Sequence, residues 1–195
     1  MKGPSIAVGE KFENFSYDTA WEQGKHLFDL LEIGKTLLVF SRYLGCHPCL
    51  MELINLAGTY PKIRAKGGNL LVVMQSDPAV VREVLEPGVT YKIDGALSVF
   101  GKEQMPYDLV CDPDMMLYKQ YGIPAAKNKL GLVSPSALAK SKRAQDMGLE
   151  HGKYEGDELQ LPATFLLEQD GTVAMAHYGK SFADYLSEEE ILELF

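Results

Sequence analysis

Apolar residues in this chain gather into short unbroken runs separated by amphipathic stretches. Thr36–Phe40 reads Thr-Leu-Leu-Val-Phe, Asn69–Met74 reads Asn-Leu-Leu-Val-Val-Met, and Thr164–Leu167 reads Thr-Phe-Leu-Leu. Runs of this length suit strands buried on both faces, in the middle of a sheet. Between the first two, Leu50, Leu53, Ile54, Leu56 and Ala57 fall at helical spacing within Leu50–Lys66, and Gly67-Gly68 is a natural stop. Strand, helix and strand within about 40 residues make a βαβ unit, whose right-handed crossover leaves the strands parallel.

Further along, Asp77-Pro78 opens a helix through Leu85, with Asp as N-cap and Pro at the first helical position. Residues 88–106 are loosely patterned, with a helix suggested only over Ala96–Lys102. Tyr107–Cys111 reads as a short strand, and Asp112-Pro113 as the start of a helix ending at Tyr121-Gly122. Ser134-Pro135 caps a helix running to Met147 and closed by Gly148, and the polar stretch His151–Glu158 reads as a loop. Ala163–Glu168 and Thr172–Tyr178, joined across Asp170-Gly171, carry the strongest short hairpin signal. Ser187 with Glu190 forms a capping box for a last helix, Glu188–Leu194. The order predicts an α/β fold: a three-layer sandwich with a mixed central sheet and helices on both faces, as one domain over 1–195.

Composition narrows the function classes. The chain has 195 residues, 46% hydrophobic and 24% charged, enough to bury a core. A net charge of −8 argues against unaided binding to nucleic acid or anionic membrane, which need clustered Lys and Arg. Met1–Phe15 has no apolar core of signal-peptide length, and no apolar run approaches the roughly 18–20 residues of a membrane span. The protein is therefore expected in the cytoplasm. Three cysteines are too few for a disulfide scaffold.

Two of the three stand as Cys46-His47-Pro48-Cys49, just after a buried strand and where a helix begins. Unpaired amides and the macrodipole at a helix N-terminus favour a thiolate. Cys49, one turn later, is close enough to bond to Cys46. His47, when protonated, would add positive charge, and Pro48 would stiffen the turn. The spacing supplies an attacking and a resolving sulfur. Half a zinc site has the same spacing, but no second pair is present; His47, His151 and Cys111 are isolated candidates. No metal and no cofactor is expected. Arg42, four residues before Cys46, could hold a thiolate, although an arginine at a strand end is more often a surface residue. Cys111 reads as a small hydrophobe. Pro162, directly before a buried strand, fits a strand's first position, and its preceding bond could be cis.

Cys46-His47-Pro48-Cys49 after a strand, followed far downstream by Pro162-Ala163-Thr164-Phe165-Leu166-Leu167 and Asp170-Gly171, resembles the thioredoxin-like redoxins. Within them the chain is most similar to the AhpC/TSA, peroxiredoxin-like branch. Val39–Cys46 and Asp112-Pro113-Asp114 leading to Tyr118 and Tyr121-Gly122 add to the likeness. It covers roughly Phe12 to Phe195, least well over 86–106, an insertion, and 124–158, a helical excursion. The resemblance implies a thioredoxin-like fold, and Pro162 as a cis-proline packed on the cysteine pair. Peroxiredoxins proper carry Pro-x-x-x-Thr/Ser-x-x-Cys; here Val39 replaces the Pro and Tyr43 the Thr. Glu52, three residues after Cys49, stands where several dithiol oxidoreductases of this fold have an acid.

The expected function is thus a thiol–disulfide oxidoreductase in cell redox homeostasis, with Cys46 as nucleophile and Cys49 as resolving residue, supported by His47, Pro48, Pro162 and Arg42. A peroxiredoxin-like peroxidase on the same Cys46 is the alternative, and a non-catalytic or zinc-binding module the second. Expected partners are a protein or small-molecule disulfide or a hydroperoxide, with an external thiol reductant of thioredoxin or glutathione type. Nucleic acid and membrane are not expected; the chain would act as monomer or homodimer.

Overall fold

A five-stranded mixed sheet forms where the sequence concentrates its unbroken apolar runs. The computed structural model describes residues 5–195; residues 1–4, where the reading of the N-terminus begins, lie outside. The strands and helices are, in chain order, β1 (Ser16–Tyr17), β2 (Lys25–His26), α1 (Leu27–Ile33), β3 (Thr36–Phe40), α2 (His47–Ala65), β4 (Asn69–Met74), α3 (Pro78–Leu85), β5 (Val89–Ile93), β6 (Ala96–Phe100), β7 (Asp108–Cys111), α4 (Met116–Gln120), α5 (Pro135–Asp146), β8 (Ala163–Leu167), β9 (Val173–Tyr178) and α6 (Glu188–Glu193). The large sheet has the order β7-β4-β3-β8-β9. β3 lies at its centre, parallel to β4 and antiparallel to β8, with Phe40 paired to both Val73 and Ala163.

Alternation along the strands divides the core in two. Leu37, Val39, Leu70, Val72 and Leu109 face Leu53, Leu56 and Ile63 of α2, Val81 and Leu85 of α3, and Ile191 of α6. Leu38, Phe40, Leu71, Val73, Phe165 and Leu167 pack with Phe12, Phe15, Leu27 and Leu31 and with Leu117 and Tyr118 of α4 in a second cluster. Every residue of β3, β4 and β8 is buried, as their unbroken apolar runs require. Truncating Phe165 to Ala at this centre costs about 3–5 kcal/mol. The architecture is the expected sandwich with helices on both faces.

Two elements differ from expectation. Residues 89–100 form a β5–β6 hairpin, not a helix over Ala96–Lys102; Asp94 (φ 50°) and Gly95 (φ 81°) supply the left-handed pair that a tight hairpin turn demands. Helix α4 starts at Met116, because the Asp112 carboxylate accepts from the amides of Met116 and Leu117 instead of capping at position 113. Helices α3 and α5 begin as expected, with Asp77 and Ser134 accepting from Ala79 and Ala137. Among the described residues no helix is long and apolar enough to cross a membrane.

Candidate active site

β3 delivers the chain through Ser41-Arg42-Tyr43-Leu44-Gly45 to Cys46, the N-cap of the 19-residue helix α2. The Cys46 carbonyl accepts from the amides of Cys49 (2.8 Å) and Leu50 (2.9 Å), closing the first turn around the pair. Pro48 sits in that turn, where its missing N–H costs no helical bond. Cys46 and Cys49 are joined by a disulfide with Cα atoms 5.2 Å apart. Both are sealed from solvent, at 1% and 0% exposure. When the bond is reduced, the amides at the head of α2 favour the thiolate at Cys46.

Arg42, which a strand-end position makes look like a surface residue, is 7% exposed. Its Nη1 donates to Cys46 Sγ across 3.4 Å, and its Nη2 to the carbonyl of Glu158 at 2.5 Å. The guanidinium also faces the rings of Tyr43 (5.1 Å) and Phe182 (5.9 Å), while its Nε is buried without a partner among the described residues. A permanent cation beside the sulfur stabilises a thiolate there.

His47 does not supply the charge expected of it. Burial, and then the neighbouring His151, push its pKa down, against a smaller upward pull from Ser141. Its Nε2 bonds to Ser141 Oγ at 2.8 Å and its Nδ1 is buried without a partner among the described residues. Tyr43, three residues before Cys46, turns its hydroxyl to His151 Nε2 at 3.3 Å. The His151 ring lies 4.2 Å from that of Tyr154 and 5.8 Å from that of His47. His151 carried no signal in the sequence beyond that of an isolated metal candidate, because only the folded loop brings it to Tyr43.

Glu52, one turn beyond Cys49, is 7% exposed, and burial pushes its carboxyl up to about 7 despite Lys140 and Asn55. It lines a half-open cavity of about 760 Å³ together with Lys140, Tyr185 and Ile191. Tyr185 in turn shares a 2.7 Å hydrogen bond with Ser41 at the end of β3.

Pro162 is buried and directly precedes Ala163, which pairs with Phe40 at the end of β3, the strand that leads to the cysteine pair. Its bond to Leu161 is trans, contrary to the expected cis-proline. Both backbone groups of Leu161 are held in that arrangement: its amide donates to Pro124 O, and its carbonyl accepts from Gln160 Nε2. Cys111 is a free thiol at the end of β7, pushed up to about 12 by burial and then by the carboxylates of Asp77 and Glu155. Among the described residues no three His, Cys, Asp or Glu side chains are grouped to hold a metal ion.

A cysteine at the strand-to-helix junction of a five-stranded α/β sheet, with Arg42 on its sulfur, is joined by a decisive match. Residues 8–176 fit the AhpC/TSA family. The chain belongs to that family. Solved structures of the same fold include a peroxiredoxin-like protein from Aquifex aeolicus, at 13% identity and TM-score 0.66 over 98% of this chain and 87% of that one. A 2-Cys peroxiredoxin from Plasmodium vivax aligns at 15% identity and TM-score 0.62 over 96% and 79%. A Chlorobium tepidum protein assigned as the thiol:disulfide interchange protein DsbE aligns at 18% and TM-score 0.58 over 97% and 95%. No curated protein matches the chain in sequence. As an AhpC/TSA protein with a bonded C-x-x-C pair, it is a thiol-dependent oxidoreductase or peroxidase.

Proposed function

We propose that this AhpC/TSA protein is a thiol–disulfide oxidoreductase that cycles Cys46 and Cys49 between dithiol and disulfide. The reading is carried by the bonded pair at the head of α2, combined with Tyr43 in the place of a peroxidase hydroxyl. In the forward step the Cys46 thiolate attacks one sulfur of a substrate disulfide, forming a mixed disulfide and releasing one substrate thiolate. The Cys49 thiolate then attacks Cys46 Sγ, closing the internal disulfide and releasing the second substrate thiolate, so two electrons pass to the substrate. An external thiol of thioredoxin or glutathione type, in a reducing cytoplasm, restores the dithiol.

The roles follow from position. Cys46 has the helix N-terminus and Arg42, so it is the better anion; Cys49 lies inside the first turn, behind it. Glu52 shares a helix face with Cys49, and its carboxyl at about 7 can accept and return a proton near neutral pH.

A peroxidase reading has one observation in its favour, the Arg42 guanidinium on Cys46 Sγ, which would also suit a thiolate attacking a peroxide. The two readings part on the reduced protein mixed briefly with sub-stoichiometric hydrogen peroxide, followed by mass measurement. Oxidation no faster than that of a free thiol, with catalytic reduction of insulin, supports the oxidoreductase. A sulfenic acid or disulfide formed within seconds supports the peroxidase. Stoichiometric zinc with neither activity would support a binding module instead.

A further inference from the structure

We propose that residues 150–159 form a strap across the active-site loop, and that lifting it admits the thiols and disulfides that react with Cys46. This rests on the dithiol reading of the pair. Attack on a disulfide needs an open line to one of its sulfurs, and both are sealed.

The strap touches the loop at nearly every residue flanking Cys46. The Glu158 carbonyl accepts from Arg42, and His151 bonds to the Tyr43 hydroxyl. The Gly152 amide donates to the Gly45 carbonyl at 2.8 Å, so close that a Cβ at Gly45 would collide with the backbone of Lys153. The Glu155 carboxylate accepts from Ser76 Oγ at 2.9 Å and from the Asp77 amide at 3.0 Å, and Ser76 Oγ itself accepts from the Leu44 amide. Asp157 exchanges two bonds with the Gln75 side chain. The His151 ring reaches His47 on the far side.

What holds the strap is polar, not apolar. His151, Gly152, Lys153, Tyr154 and Gly156 are exposed, and the segment contains neither helix nor strand. Its ends are fixed instead. Leu149 is buried and its amide donates to Ala144, while Leu159 and Leu161 bond back to Ala126 and Pro124. Gly148 and Gly156, both at positive φ, give the backbone freedom near either end. A segment anchored at its ends and held between them by a few hydrogen bonds opens locally without unfolding the domain. The strap therefore acts as the specificity element of the site, favouring reagents that reach the sulfurs during brief openings.

The test follows reduction of the oxidised full chain by dithiothreitol, quenched by alkylation. One reagent sulfur bonds to a protein sulfur and expels the other as thiolate. The second reagent sulfur then closes the cyclic disulfide and frees the pair, which gains two electrons. Gln75→Ala, which changes no charge, and Glu155→Gln each loosen the strap. Each is expected to raise the second-order rate about tenfold, the loss of a charge-assisted or paired hydrogen bond. Hydrogen exchange at the Gly152 amide should quicken in parallel, with the β3 amides unchanged. Unchanged reduction rates overturn the strap, whether or not Gly152 exchanges faster. A pair that dithiothreitol leaves oxidised in all three proteins contradicts the dithiol reading itself.

Discussion

The Arg42 guanidinium is held between Cys46 Sγ, 3.4 Å from Nη1, and the Glu158 carbonyl on Nη2, so a cation is fixed on the candidate nucleophile by a residue 116 positions downstream. Replacing it with Met keeps the stem and removes the charge. The pH midpoint for iodoacetamide alkylation of Cys46 in the reduced protein should then rise by about one pH unit. An unmoved midpoint would mean that the helix N-terminus alone sets the thiolate.

Glu52 gives a stability signature. Its carboxyl is raised from 4.5 to about 7, so between these values the folded protein keeps a proton that the unfolded chain has lost. Stability therefore falls as pH rises through that window, and the favourable contribution is present in full only below it. Glu52→Gln should flatten the slope, gaining on wild type on the order of 3 kcal/mol between about pH 4 and pH 8 in urea unfolding. A slope that survives the substitution would place its origin elsewhere.

For His47, burial and His151 hold the imidazole neutral. Its ring protons, followed by NMR, should titrate below the ordinary imidazole midpoint of 6.5. Removing the second lowering influence with His151→Ala should raise the midpoint back toward 6.5.

Cys111 should stay outside the cycle. With its thiol pushed up to about 12, native protein at pH 7 should resist N-ethylmaleimide at this position. Cys111→Ser should leave insulin reduction unchanged.

The legible parts of the fold are those where local pattern and burial agree. β3, β4 and β8 are buried on both faces, so their apolar runs alone reveal them, and the Asp77, Ser134 and Ser187 caps mark three helix starts. Helix α1 offers only Leu27 and Leu31 on a buried face and no side-chain cap at His26, so it leaves little trace in the pattern. The β5–β6 hairpin hides because Leu97 and Val99 are apolar yet exposed, which blurs the two-residue period. At the candidate site, the C-x-x-C spacing marks the pair that the structure bonds at the head of α2. Arg42 and His151 gain their positions from the strap, whose contacts with Gly45, Gln75 and Ser76 join residues far apart in the chain.

The cycling of Cys46 and Cys49 is tested most directly by counting thiols as the protein is equilibrated across glutathione redox buffers. A single two-electron transition is expected, in which the protein passes from three thiols to one and Cys111 remains reduced. Cys49→Ser should abolish that internal transition. A protein that keeps all three thiols under oxidising buffer, or forms only mixed disulfides with glutathione in the wild type, would contradict the account.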